Sequence, residues 1–136
     1  MAGTVTQKVD KFPGRNGFKV LTFSWTGAAD DGTVPSTATS AAITAEIAGC
    51  YIAEARTNPG TTAPTALYDI VINDTDGIDL MGGALANRSA TLSERAIPIM
   101  ADGVYGSTAV DGALTMVITN QAVHSATGTV KIFLEE

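Results

Sequence analysis

The stretch ALYDIVIN, residues 66–73, shows how this chain folds. Tyr68, Ile70 and Ile72 alternate with polar or smaller side chains such as Asp69. Alternation with a period of two is typical of a β-strand that buries one face and exposes the other. We therefore predict a strand here, with its three large apolar side chains in the core.

Four other stretches show the same alternation and end at turn-forming residues. They are FKVLTFSW (18–25), GCYIAEART (49–57), ALTMVITN (113–120) and GTVKIFLEE (128–136). Weaker strand patterns lie near residues 4–10, 40–47 and 93–100. About eight short strands joined by turn-rich links predict an all-β, single-domain fold. The pattern leaves open whether this fold is a two-sheet sandwich or a jelly-roll-like barrel.

The alternation also predicts which side chains are buried. Trp25 shares a face with Leu21 and Phe23, so the only tryptophan is expected in the core. In GCYIAEART, an unbroken strand places Glu54 on the same face as Cys50. The single cysteine is expected to be a small buried apolar residue, since it has no intrachain partner for a disulfide.

Helical patterns are weak in this sequence. No stretch shows three turns of helical periodicity, and the best candidate is one short turn near residues 84–87, beside a pair of glycines. Two segments rich in Gly, Ser and Thr, 26–42 and 101–113, are expected to be long loops. We predict an N-terminal arm or edge strand at 1–12 and a single β domain at 13–136.

The composition restricts the class of partner. The net charge is −6, and the eight Lys and Arg residues are scattered along the sequence, whereas nucleic-acid binding requires clustered cations. No apolar run approaches the roughly 20 residues of a membrane span, and no secretory signal is visible at the N-terminus. We predict no nucleic-acid or membrane partner. Because only 16% of the residues are charged, we expect self-association or docking onto another protein.

The acidic stretch NDTDGID, residues 73–79, resembles a functional site more than any other short stretch of the sequence. Asp74 and Asp76 match the start of a calcium-binding loop, but Gly83 stands where that loop requires a bidentate Glu. Asn, Asp and Gly are also the residues of tight turns between strands. We predict a hairpin turn, and retain Asp74, Asp76 and Asp79 only as a secondary candidate for a cation site.

Motifs of catalysis are missing from the sequence. His124 is the only histidine, and no serine lies in a nucleophile-elbow context. One histidine and one cysteine are too few for a zinc site, and MGGALANRS (81–89) lacks the lysine of a phosphate-binding loop. We therefore predict a protein that is not an enzyme, with no catalytic residue and no cofactor.

The stretch NPGTTAPTALYDIVINDTDGIDLMGGALANRSATLSERAIP, residues 58–98, resembles small virion structural proteins of tailed bacteriophages. The resemblance extends over about residues 18–134, through KVLTFSWTG (19–27) and GTVKIFLEE, and is strongest at 57–98. It implies a capsid decoration or cement protein that stabilises the head by binding the major capsid protein. It also implies a homo-oligomer, commonly a trimer, on the capsid surface of the virion after synthesis in the host cytoplasm. The resemblance assigns no individual functional residue.

Contacts in such a particle are expected from the arm at 1–12 and from the loops 26–42 and 101–113. Arg88 and Arg95 are candidates for an ion pair, either within the subunit or with an acidic neighbour.

Two alternatives remain open. One is a structural component of the tail or neck. The other is a carbohydrate- or host-surface-binding β-sandwich module, which would require exposed aromatic side chains. Tyr105 is the aromatic residue that the sequence places on a loop.

Overall fold

The computed structural model describes residues 2–14 and 17–136, and strands dominate it. The elements are β1 (Thr4–Lys11), β2 (Lys19–Thr26), β3 (Thr37–Ala38), α1 (Ala41–Ile47), β4 (Tyr51–Pro59), β5 (Asp69–Asn73), β6 (Glu94–Ala96), β7 (Thr108–Ala109), β8 (Thr115–Thr119) and β9 (Thr127–Glu135). The all-β prediction is confirmed.

The strands form two antiparallel sheets. The larger sheet has the order β1-β2-β9-β4-β6, and β7 pairs with β4 beside this path. The smaller sheet has the order β3-β8-β5. The strands of the described residues do not close into a barrel, so the two-sheet sandwich is the correct one of the two predicted architectures.

The core lies between the inner faces of the two sheets. The five predicted alternating stretches supply most of it, and Trp25, Cys50 and Tyr68 are among its buried members. Each fully buried large apolar side chain contributes roughly 1.5–3 kcal/mol relative to an exposed one. The predicted burial of the tryptophan and of the cysteine is therefore confirmed.

Two polar atoms in this core lack a hydrogen-bond partner among the described residues. They are the indole Nε1 of Trp25 and the hydroxyl of Tyr68, whose rings contact each other with centroids 5.8 Å apart. An unpaired buried polar group opposes folding because it loses its hydrogen bonds to water. Burial also raises the pKa of Tyr68 to about 12, since the phenolate form is the more costly one to bury.

We expect Tyr68→Phe to leave the stability unchanged or higher at neutral pH, because it removes a hydroxyl that makes no hydrogen bond to any described residue. The ordinary pKa of tyrosine is 10.0, so between pH 10 and about 12 the unfolded chain loses a proton that folded Tyr68 keeps. Stability must therefore fall with rising pH over this interval. Urea unfolding of both proteins across it should show a smaller fall for Tyr68→Phe, and equal falls would contradict the assignment.

The strand predicted at 40–47 is wrong, because residues Ala41–Ile47 form helix α1. Ser40 caps this helix, and its hydroxyl accepts a hydrogen bond from the Ile43 N–H at 3.2 Å. Ile43 and Ile47 are four residues apart, so both face the core, and the alanines between and before them favour helix. The spacing of four residues between these two isoleucines therefore favours a helix over a strand in this segment.

The face predicted for Glu54 is also wrong. The pairing of β4 with β9 shifts register between Ile52 and Glu54, which is the mark of a β-bulge. After the bulge, Ala55 and Thr57 are the buried side chains, whereas Glu54 and Arg56 lie on the outer face of the sheet. One extra residue thus reverses the alternation in the second half of this strand.

The structure differs in detail from the predicted helical turn and from the two predicted loops. At 84–87 the chain makes consecutive turns, and Asn87 has a left-handed φ of 57°. The segment 26–42 contains β3 and the start of α1, and 101–113 contains β7. The N-terminal strand β1 is an edge of the larger sheet, and its Gln7 side chain bonds to the backbone of Ala38 and Ser40.

Candidate interaction surfaces

The acidic stretch forms a tight turn after β5, as predicted. One carboxylate oxygen of Asp74 accepts hydrogen bonds from the N–H groups of Asp76 and Ile78, both at 2.9 Å. Gly77 supplies the left-handed conformation that the turn needs, with a φ of 82°. The carboxylate of Asp74 therefore stabilises the turn itself.

Asp79 has a larger structural role than its neighbours. Its carboxylate accepts three backbone hydrogen bonds, from Ile72 and Met81 at 3.1 Å and from Gly83 at 2.9 Å. It thereby joins the end of β5 to the turns at 80–83. In the described ranges, no three His, Cys, Asp or Glu side chains are grouped as a metal site.

A hairpin turn at residues 98–106, closed by one isolated β-bridge between Ile99 and Tyr105, overlaps the end of the strand predicted near 93–100 and the start of the loop predicted at 101–113. The N–H of Met100 donates to the carbonyl of Val104 at 2.8 Å, and that of Gly106 donates to Pro98 at 3.0 Å. Gly103 turns the chain with a φ of 84°. We call residues 98–106 the projecting hairpin.

The turns after Asp79 anchor the base of the projecting hairpin. The Ile99 N–H donates to the carbonyl of Met81 at 3.1 Å. The hydroxyl of Thr108, just after the hairpin, donates to the carbonyl of Leu80 at 3.0 Å. Gly82 lies directly against the Ile99 carbonyl, where any side chain would collide with it. The acidic stretch thus supports the hairpin through the turn that follows it.

Apolar side chains are concentrated on this hairpin. Among the described residues, ten large hydrophobic side chains are exposed, and four of them lie on the hairpin or directly before it. We call these four the apolar patch: Ile97, Met100, Val104 and Tyr105. Val104 and Tyr105 are 61% and 68% exposed. Grouped exposed apolar side chains mark contact surfaces more often than single ones do.

The two arginines that the sequence selected have different environments. Arg88 is mostly buried, donates to the carbonyl of Ala86 and lies 3.8 Å from the Glu94 carboxylate. It therefore acts within the subunit. Arg95 is exposed on β6 and has no ion pair among residues 2–14 and 17–136. It lines a shallow groove of about 340 Å³ together with Ile97 and Tyr105.

A second surface covers the outer face of the larger sheet, and sequence reasoning missed it. Strand pairing aligns Lys8 with Thr22, Thr22 with Lys131, Lys131 with Arg56, and Arg56 with Arg95. Half of the eight Lys and Arg residues thus stand in one line across five strands. We call Lys8, Lys131, Arg56 and Arg95 the cationic row.

The neighbouring row on this face carries two carboxylates and an aromatic ring. Glu54 pairs with Arg56 at 2.9 Å, and Asp10 pairs with Lys8 at 3.4 Å. The Arg56 guanidinium also lies over the ring of Phe133, 4.2 Å from its centroid. Lys131, like Arg95, has no carboxylate partner in the part of the chain that the structure describes.

The structure does not bring the other reactive side chains together. Cys50 is buried beneath α1, where desolvation raises the pKa of its thiol. His124 is exposed, in the turn before β9, and contributes to lowering the pKa of Asp31, after the larger effect of two hydrogen bonds from Thr33. Among the described residues, no helix combines the length and apolar character that a membrane crossing requires.

Comparison with known proteins gives little similarity. No protein-family model matches the sequence, and no curated protein sequence matches it significantly. A solved structure, the cyanophage Pam1 capsid asymmetric unit, contains a chain that is 16% identical. The alignment covers 98% of this chain and 86% of that chain, with a TM-score of 0.40. A TM-score of this size does not establish a common fold.

Proposed function

We propose that this chain is a non-enzymatic structural protein of a phage virion, and that it acts as a decoration or cement protein on the capsid exterior. The apolar patch carries the proposal, because an exposed hairpin tipped with Val104 and Tyr105 is suited to docking onto another protein. The resemblance of residues 58–98 to virion structural proteins supports the same class of function.

The rigidity of the hairpin favours binding. Its backbone is hydrogen-bonded within itself and to the turn at 80–83, so docking would order few additional torsions. Tyrosine and methionine, both present in the apolar patch, are enriched in protein interfaces. Many copies on a particle would make weak individual contacts collectively strong.

The partner that we propose for the apolar patch is the major capsid protein. The chain would be synthesised in the host cytoplasm and would reside on the capsid surface of the virion. Self-association, in the trimeric form that the resemblance implies, would add contacts between neighbouring copies. A tail or neck component would use the same patch on a different part of the particle.

A carbohydrate-binding module is the second candidate. Tyr105 favours it, because its exposed aromatic ring can stack on a sugar while the guanidinium of Arg95, which has no ion pair among the described residues, donates hydrogen bonds. A glycan array separates the candidates, since the cement role predicts no binding to it.

Replacing the apolar patch should weaken binding to capsids without affecting folding. We expect Val104→Ser/Tyr105→Ser to reduce the affinity for heads that lack the protein by at least about tenfold, which corresponds to about 1.4 kcal/mol. Co-sedimentation with such heads measures the affinity, and thermal unfolding should show an unchanged Tm, because both side chains already face solvent.

Leu67→Ser is the matched control. Leu67 has the same 61% exposure as Val104 but lies outside the apolar patch. It should leave head binding unchanged. A full loss of binding in the control, or none in the double variant, would contradict the proposed docking surface.

A further inference from the structure

We infer that the cationic row binds the acidic end of a second copy of this chain. This inference rests on the proposed function, in which copies of the chain associate with each other. It adds which two surfaces make that contact. The acidic end consists of Asp74, Asp76 and Asp111. The two surfaces together would make a head-to-tail contact between identical subunits.

The cationic row is unfavourable for an isolated subunit. Lys131, Arg56 and Arg95 are direct neighbours on three adjacent strands, which lie about 4.8 Å apart in a sheet. Like charges that stand directly opposite each other destabilise a sheet. Of these three, Arg56 alone has a carboxylate partner among the described residues. Carboxylates from a partner would remove this repulsion.

The rest of the outer face is suited to close contact. Beyond the cationic row lies a row of small polar side chains, in which Thr6 aligns with Ser24, Ser24 with Thr129, and Thr129 with Asn58. The Asn58 amide donates to the Thr129 hydroxyl at 3.1 Å, which fixes both side chains. Short uncharged side chains lose little entropy and need little desolvation when they are covered.

The acidic end offers the complementary charge. Asp76 and Asp111 are exposed, and the loop at 110–113 packs beside the acidic turn, where a Cβ atom on Gly112 would lie 3.4 Å from Thr75. Within residues 2–14 and 17–136, no Lys or Arg pairs with an aspartate of this end. The carboxylates of Asp76 and Asp111 are thus left for an external cation, and Asp74 adds its negative charge beside them while one of its oxygens holds the turn.

The described residues show no ion pair between the two surfaces within one subunit. The acidic turn follows β5 of the smaller sheet, whereas the cationic row lies on the outer face of the larger sheet. Asp111 follows β7, which pairs with the first residues of β4, four residues before Arg56. A contact between unlike surfaces of identical chains is heterologous, so it builds a ring if the rotation closes. This geometry is compatible with the trimer of the proposed function.

A polyanion such as nucleic acid fits the outer face less well. Asp10 and Glu54 stand beside the cations and would repel phosphates. Arg56 covers the ring of Phe133, which is then closed to base stacking. The net charge of −6 opposes the approach of any polyanion at long range. A protein surface with a few localised carboxylates is the better match.

Two charge-reversal variants test the inference. One replaces the cationic row (Arg95→Glu/Lys131→Glu), and the other replaces the acidic end (Asp76→Lys/Asp111→Lys). Light scattering during gel filtration should show that the unmodified protein associates at about 0.1 M salt and dissociates at about 1 M, where charges are screened beyond about 3 Å. Each variant alone should associate at least about tenfold more weakly.

An equimolar mixture of the two variants should regain association, because each reversed surface is complementary to its counterpart on the other variant. The two variants must alternate, so the restored contacts build dimers and even-numbered rings, whereas a closed ring of three would keep one like-charged contact. Asp30→Lys is the control, since it makes the charge change of one of the two acidic-end substitutions at an exposed site away from both surfaces. Asp30→Lys should leave unchanged the mass of the assembly that light scattering measures. A monomeric unmodified protein, association that survives reversal, or a mixture that stays monomeric would each overturn the inference.

Two further measurements separate this inference from the proposed function. Binding of single-stranded DNA to the cationic row, lost in Arg95→Glu/Lys131→Glu, would overturn the inference in favour of a polyanion partner. Head binding by a protein that never self-associates would overturn the inference and leave the cement role intact. Restored association in the mixture, without head binding, would support the inference and contradict the cement role.

Discussion

Gly82→Ala should destabilise the protein by about 2–5 kcal/mol. Gly82 has a φ of 62°, a conformation that costs an L-residue about 1–2 kcal/mol. A Cβ atom would also collide with the Ile99 carbonyl oxygen, a backbone atom that cannot move without displacing the projecting hairpin. Such overpacking costs typically about 1–3 kcal/mol more. Urea unfolding at equilibrium measures the sum.

Gly83→Ala separates the collision from the backbone strain. Gly83 has a φ of 85°, also left-handed, but the space around its missing Cβ is open. We expect Gly83→Ala to cost only the strain, about 1–2 kcal/mol. The difference between the two variants isolates the contact of Gly82 with Ile99. Equal losses would mean that the hairpin is not seated on this glycine.

The same pair of variants connects stability with function. Since the hairpin carries the apolar patch, its displacement in Gly82→Ala should reduce head binding even at temperatures where the protein stays folded. Gly83→Ala should bind heads normally under those conditions. Normal binding by folded Gly82→Ala would show that the patch acts independently of the hairpin base.

The strands were predictable from the sequence because their signal is local. Alternation over five to nine residues is enough to assign β5, β8 and β9 and to identify their buried faces. The same rule failed at Glu54, where a bulge shifts the alternation by one residue without any change in composition. It also failed at Ile43 and Ile47, whose spacing of four residues is helical and had to be weighed against the strand pattern.

The cationic row could not be predicted by local patterns. Lys8 and Lys131 belong to the first and the last strand, and both align with Thr22 only because β2 pairs with β1 on one side and β9 on the other. For each of these Lys and Arg residues taken singly, the alternating pattern predicts only an exposed side chain on a strand. The order of strands in the sheet, which is set by the packing of the whole domain, places them in one line.

The projecting hairpin had a partial signal in the sequence. Asp-Gly at 102–103 is a strong turn signal, and the structure has its turn there. The glycines and turn signals around Val104 and Tyr105 predict a loop, and in the structure both of these side chains face solvent. Sequence rules identify a strand from apolar side chains that alternate with polar ones. A segment whose apolar side chains face solvent does not show this alternation.

Asp79→Ala should destabilise the protein by about 2–4 kcal/mol. It removes the acceptor of three backbone hydrogen bonds, from Ile72, Met81 and Gly83. Ile72 and Met81 are fully buried, so their N–H groups have poor access to water as a replacement. A buried donor left unpaired costs about 1–3 kcal/mol, and the half-exposed position of Asp79 lets water recover part of that loss.

Asp76→Ala is the matched control, and it distinguishes the turn from a cation site. The Asp76 side chain is exposed and makes no hydrogen bond among the described residues, so we expect a change within about 0.5 kcal/mol. If Asp74, Asp76 and Asp79 instead held a calcium ion, added calcium would raise the Tm of the unmodified protein, and both variants would abolish that rise. We expect that calcium does not change the Tm, and that only Asp79→Ala lowers the free energy of unfolding by a large amount. The reason is that the Asp79 carboxylate accepts three backbone hydrogen bonds and so stabilises the chain without any ion.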